Sequence, residues 1–177
     1  MDTDVQLEKR RQERIISHPS PGPRNSLQYW TRFVHPLRVI CNFAIIYANR
    51  FNPSVNLKNA LYRLTGMKVG KHCSFGLCAM VDIFYPQLIT IGEDCIFGYD
   101  SLILAHGYLQ RELRVGPVVI GNRVTIGTKC TILPGVVIGD GAVVSAMSLV
   151  NKDVPPHTLV GGVPIRVLGV VPEGERR

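Results

Sequence analysis

The 177-residue chain contains no run approaching the roughly 20 consecutive apolar residues that a membrane-crossing helix needs. Its opening, "MDTDVQLEKRRQER", lacks the hydrophobic centre of a secretory signal, so the expected address is cytoplasmic. No CxxC pair occurs, and an odd count of five cysteines argues against a closed set of disulfides. Acidic residues are missing altogether between Glu13 and Asp82, whereas basic ones recur through that segment. Residues 1–66 hold ten Lys/Arg against four Asp/Glu, and residues 67–177 hold ten against nine. A basic N-terminal part suits peripheral contact with an anionic membrane, or simply a solvated flank. Nucleic acid is not expected as a partner, because no helix-turn-helix, zinc finger or aromatic stacking set accompanies the charge. What is present suits one folded domain with a real core: 46% of residues are hydrophobic and 19% charged.

From Ile120 onward an aliphatic residue recurs every six positions, at Ile120, Ile126, Ile132, Ile138, Val144 and Val150. Four residues after each stands something small or β-branched: Val124, Cys130, Val136, Ala142, Ser148 and Val154. Shorter runs in the same register lie upstream, at Val69, Phe75 and Val81 and at Ile91, Phe97 and Ile103, most of them followed by glycine. A period of six matches neither a helix at 3.6 nor a half-buried strand at 2. It fits short strands joined by tight turns, three to a coil, with coils stacked as parallel β about 4.8 Å apart. The aliphatic residues then form ladders inside a narrow prism, and the runs amount to four to five coils. Cys73, Cys95 and Cys130 all fall on the small inward position and read as buried apolar residues.

These residues resemble the hexapeptide-repeat acyltransferases over roughly residues 67–168. The stretch "ILPGVVIGDGAVVSAMSLVNKDVPPHTLVGGVPIRVLG" looks like the C-terminal signature of the maltose, galactoside and related O-acetyltransferases. The resemblance implies a mainly β fold, a left-handed parallel β-helix, in a homotrimer with acetyl-CoA bound between neighbouring prisms. Handedness rests on the resemblance alone, since spacing does not reveal it and parallel crossovers are normally right-handed.

Ahead of the prism, residues 1–26 are charged and Pro/Ser-rich and read as a mobile tail. Residues 27–66 read as a helical extension. Within it, 36–51 favours a buried or interfacial helix, and a second helix follows the cap Ser54, keeping Leu57, Ala60, Leu61 and Leu64 on one stripe until Gly66. Such helices would close the open end of the prism and hide its strand edge. The alternative is that Trp30, Phe33 and Phe43, with nearby arginines, rest on a bilayer. Residues 169–177 read as a polar tail.

Acetyl transfer from a thioester needs a base for the incoming hydroxyl or amine, donors for the tetrahedral oxyanion and a seat for the coenzyme. Of five histidines, His18 lies in the Pro-rich linker, His35 precedes Pro36, and His72 and His157 fall in turns. His106, in "ILAHG", directly precedes the insertion "GYLQRELRVGP", which interrupts the rhythm until "VVIGN". An excursion at one corner is how a featureless prism builds a cleft. The resemblance places the catalytic histidine at this point, which makes His106 the expected general base. It further implies Asp82 as an acceptor-binding residue, Gly127, Thr128 and Ala146 along the pantetheine channel, and Asn151, Lys152 and Arg166 near the coenzyme phosphates. No metal is expected, because a zinc hydratase on this prism would need an H-x4-H pair that is absent. No Ser or Cys is placed as a covalent nucleophile. The expected activity is direct transfer of acetyl from acetyl-CoA to a hydroxyl, as on a sugar or polysaccharide precursor. An amine or antibiotic acceptor, or a non-catalytic scaffold, are the alternatives.

Overall fold

A computed structural model describes residues 4–172; most of the polar C-terminal tail, residues 173–177, lies outside the described residues. The hexad residues form three parallel sheets. One stacks Lys68–Val69, Ile89–Ile91, Val118–Ile120 and Val137–Ile138, continued by a bridge from Ile138 to Val154. The second stacks Ser74–Phe75, Ile96–Phe97, Thr125–Ile126, Val143–Val144 and Thr158–Gly161, and ends on the antiparallel strand Arg166–Val170. The third stacks Met80–Val81, Leu102–Ile103, Thr131–Ile132 and Leu149–Val150. One pass through all three is one coil. The result is a left-handed parallel β-helix of four complete coils and a partial fifth.

The rhythm is the core. The six aliphatics from Ile120 to Val150 are each no more than 1 % exposed. Like side chains sit in register on successive coils, as in the face-to-face stack of Phe75 on Phe97, with centroids 4.5 Å apart. Cys73, Cys95 and Cys130 are free thiols with no solvent exposure. At the corners the coils approach so closely that a Cβ on Gly127 would stand 2.4 Å from the backbone nitrogen of Ala146. Gly127→Ala is therefore expected to cost about 1–3 kcal/mol by overpacking, read as a lowered thermal midpoint. An unchanged midpoint with weakened CoA binding would instead make this glycine purely a channel residue.

The N-terminal region departs from the expected tail. Helix α1 (Asp4–Glu13) lies against the later coils, although Leu7 is its only buried apolar side chain. Guanidinium groups hold it: Arg11 donates to the carbonyls of Pro134 (2.7 Å) and Asn151 (3.0 Å). Just beyond the helix, Arg14 donates to Gly135 (2.8 Å) and pairs with Asp153. Next, Ile16–Pro19 pairs antiparallel with Glu112–Val115. Among the described residues, the segment read as a tail docks by hydrogen bonds to carbonyls, which charge without apolar periodicity does not announce.

Helices α2 (Trp30–Phe33), α3 (Pro36–Arg50) and α4 (Val55–Leu64) follow, with the Ser54 hydroxyl capping α4 at Leu57 N–H. The stripe on α4 is inverted relative to a core-facing helix. Its buried residues are Lys58, Asn59 and Tyr62, while Leu57 and Leu64 are exposed. The reason is chemical, because the first coil presents carbonyls with no strand beyond them. Lys58 donates to Phe75 and Gly76 (3.3 and 2.9 Å), Asn59 to Cys73 (2.7 Å), Tyr62 to Ala79 (3.1 Å) and Arg63 to Val69 and Gly70 (both 2.8 Å). A sheet edge needs donors, so the polar face turns inward.

Candidate active site

The insertion after His106 folds as a hairpin, His106–Tyr108 against Glu112–Val115, and Ile16–Pro19 adds a third strand to it. This small sheet leaves the prism at the corner that follows Leu102–Ile103. His106 therefore belongs both to the corner and to the first strand of the excursion. Its side chain is 14 % exposed.

Asp82 occupies the equivalent corner one coil earlier, just past Met80–Val81, which pairs with Leu102–Ile103. Its carboxylate has no exposure at all. One oxygen, Oδ1, accepts from the N–H groups of Phe84 (2.8 Å) and Tyr85 (2.9 Å). The other, Oδ2, accepts from the Ala105 N–H (2.7 Å) and lies 2.5 Å from His106 Nδ1. Both oxygens of Asp82, expected at the acceptor, are spent within the protein in this structure, and neither reaches solvent. The carboxylate holds the imidazole by Nδ1. A carboxylate only accepts hydrogen bonds, so Nδ1 is the donor of this pair, and in the neutral imidazole the lone pair then falls on Nε2.

Rings surround the pair. Phe84 and Tyr108 meet the imidazole edge-on at 4.9 and 5.1 Å, and Tyr85 lies 6.0 Å away. Trp30, the single tryptophan, packs on Phe84 at 5.8 Å, and Phe33 lies 6.5 Å from Tyr108. Burial, reinforced by Tyr85 and Asp82, pushes the Tyr108 phenol well up; burial and then Asp82 raise Tyr85. Both phenols stay neutral at working pH. Phe84, Tyr85 and Tyr108 were not expected from the sequence, although "FYP" shortly after Asp82 and Tyr108 two positions past His106 were the available signals; Trp30 and Phe33, weighed as bilayer contacts, pack on this cluster. Glu112, on the second strand of the hairpin, pairs with Arg114, and its Oε1 accepts from Arg114 Nε at 2.7 Å. A concavity of about 650 Å³ at the hairpin tip, lined by Ser20, Arg24 and Arg111 among others, is away from this pair.

The expected coenzyme residues divide. Gly127, Thr128 and Ala146 come together at one corner of adjacent coils, with Thr128 and Ala146 exposed. Arg166 is exposed at the start of the last strand. Asn151 and Lys152 lie two coils along from His106 on its own corner, since Leu104 N–H donates to Ile132 and Leu133 N–H to Val150. There α1 covers them: Asn151 gives its carbonyl to Arg11, and Lys152, 7 % exposed, pairs with Asp4 at 2.8 Å. Both of these residues, expected near the coenzyme phosphates, meet the chain's own N-terminal helix in this structure. Among the described residues, no three His, Cys, Asp or Glu side chains converge as a metal would require.

Comparison with known proteins agrees with this architecture. The bacterial transferase hexapeptide family (six repeats) matches residues 117–152. YvoF of Bacillus subtilis (strain 168), named as a candidate acetyltransferase, is 49% identical over 161 residues, covering 90% of this chain and 93% of YvoF. The galactoside O-acetyltransferase of Escherichia coli (strain K12) is 39% identical over 87 residues, 45% of this chain and 43% of that protein. Among solved structures, a hexapeptide-repeat acetyltransferase from Vibrio cholerae complexed with acetyl coenzyme A superimposes with a TM-score of 0.62 at 27% identity, covering 77% of this chain and 88% of that one.

Proposed function

The chain belongs to the hexapeptide-repeat acetyltransferases, and from that premise we propose that it transfers acetyl from acetyl-CoA to a hydroxyl of a sugar or polysaccharide precursor, with His106 as general base. The observation that carries the reading is the His106–Asp82 pair, in which Nδ1 is held by the carboxylate and Nε2 is the nitrogen left for a substrate. In the reaction Nε2 takes the acceptor's hydroxyl proton as its oxygen attacks the acetyl carbonyl. The tetrahedral intermediate then expels the coenzyme sulfur, which receives the same proton from the imidazolium. Backbone N–H groups of the neighbouring coil stabilise the oxyanion. Gly127, Thr128 and Ala146 line the pantetheine path, where large side chains would obstruct it, and Arg166 meets the phosphates. The assembly is a homotrimer with its sites between prisms.

The hydroxyl preference draws support from the galactoside O-acetyltransferase likeness. Its test is release of CoA thiol from acetyl-CoA in the presence of pyranosides, set beside primary amines of similar size. Turnover is expected with pyranosides; turnover with amines alone would make this an N-acetyltransferase.

A further inference from the structure

Helix α4 buries its polar face, and α3 buries asparagines beside the apolar Val39 and Ile46. On α3 the buried residues are Val39, Asn42, Ile46 and Asn49, and the Asn42 and Asn49 amides donate to the carbonyls of Ile83 and Lys58. The opposite face carries Leu37, Ile40, Phe43, Tyr47 and Phe51, all 47–66 % exposed. Three of these form an external aromatic ladder: Phe43 stacks on Tyr47 at 5.3 Å, and Tyr47 meets Phe51 at 6.0 Å. On α4, which packs against α3, Leu57 and Leu64 also face out. The prism, which needs donors, accounts for the inward polar face of α4 and for Asn42, while Asn49 ties α3 to α4. It does not account for an outward side built of Leu, Ile and aromatics where solvent-facing residues are normally polar.

The surrounding charge says what covers this face. Arg38 and Arg50 lie on α3 itself and Arg32 just before it, and no carboxylate occurs from residue 14 to residue 81. Arg50 meets Asp100 at 3.5 Å; the carboxylate Asp82 is buried on His106. A second copy of this chain presenting the same face would bring the same cations, with Asp100 already paired to Arg50. An anionic bilayer supplies both missing components, acyl chains for the aromatic ladder and phosphates for the arginines. We propose that the outward face of α3 and α4 is a docking surface for an anionic membrane, on which α3 lies flat over about 22 Å. No helix among the described residues is long and apolar enough to cross a bilayer, so the contact is interfacial. Asn42 ties α3 to Ile83, next to Asp82, so docking would hold the His106 corner about one helix diameter, roughly 10 Å, from the lipid surface.

Flotation of the full chain with vesicles tests this, using phosphatidylcholine alone and phosphatidylcholine with one-third phosphatidylglycerol. Binding to the anionic vesicles is expected, weakened by 0.5 M salt, and reduced about tenfold or more in Phe43→Ser/Tyr47→Ser. Both substituted residues are half-exposed and outside the His106 site, so turnover in vesicle-free solution should match wild type; this separates failure of the docking proposal from failure of the acetyltransferase reading. Absence of vesicle binding would overturn the proposal, as would binding that survives the double substitution. Sedimentation of the same pair of proteins supplies the rival outcome. An assembly larger than that of the double variant would make the face an interface between copies instead.

Discussion

His106→Ala is expected to lower acetyl transfer by roughly 10²–10⁴-fold while leaving the assembly and its thermal midpoint close to wild type. The imidazole is the group whose free nitrogen is set up to accept a proton, and its loss removes general-base assistance in the attack step. Structure should survive, because the Asp82 carboxylate keeps its three backbone N–H donors from Phe84, Tyr85 and Ala105. Steady-state release of CoA thiol with a working acceptor measures the first expectation, and size-exclusion with light scattering the second. Wild-type turnover in a folded variant would remove His106 from the mechanism.

Asp82→Asn should produce a comparable loss of turnover by a different route. An amide presents one acceptor atom and one donor atom. If the NH₂ replaces Oδ2, it faces the Ala105 N–H and His106 Nδ1, so the imidazole must offer a lone pair at Nδ1 and carry its proton on Nε2. The base is then in the wrong tautomer, which in a catalytic triad costs about 10⁴ in turnover with geometry retained. If the NH₂ instead replaces Oδ1, it confronts the N–H groups of Phe84 and Tyr85. Either orientation leaves buried donors unsatisfied, at about 1–3 kcal/mol each. The variant should therefore be both slow and less stable, with the KM for acetyl-CoA little changed. Nitrogen NMR of His106 distinguishes the tautomers directly. An unchanged Nδ1–H resonance beside unimpaired turnover would show that the carboxylate does no more than brace the corner.

Much of the prism was legible because its rule is local. Every sixth residue points inward, so Ile120 to Val150, and the cysteines at 73, 95 and 130, declare their burial by count alone. His106 was legible too, as the point where counting stops. The Asp82–His106 pair was harder, since its partners are 24 positions apart and meet only because corners of successive coils stack. The segment 82–88 is itself a departure from the hexad, which blurred where Asp82 would point. Helix α4 misled for a physical reason. Amphipathic spacing tells which residues share a face, not which face is buried, and here the neighbour is an open row of carbonyls. Lys152 resembled a phosphate ligand, and nothing nearby in sequence announces that Asp4 pairs with it.

The seat of α1 has a consequence for how the chain comes to be made. Arg11 bonds to Pro134 and Asn151, 123 and 140 positions further on, and Arg14 to Asp153. A ribosome therefore delivers the helix first and its docking site last. At about 5–20 residues per second the interval is roughly 7–30 s, during which coils one to three can wind but α1 has nowhere to bind. With Leu7 as its one apolar contact, the helix presents little for other nascent chains to stick to while it waits. The arginine-to-carbonyl clasp thus forms as a late event in biosynthesis, and its closure marks the arrival of the fourth coil.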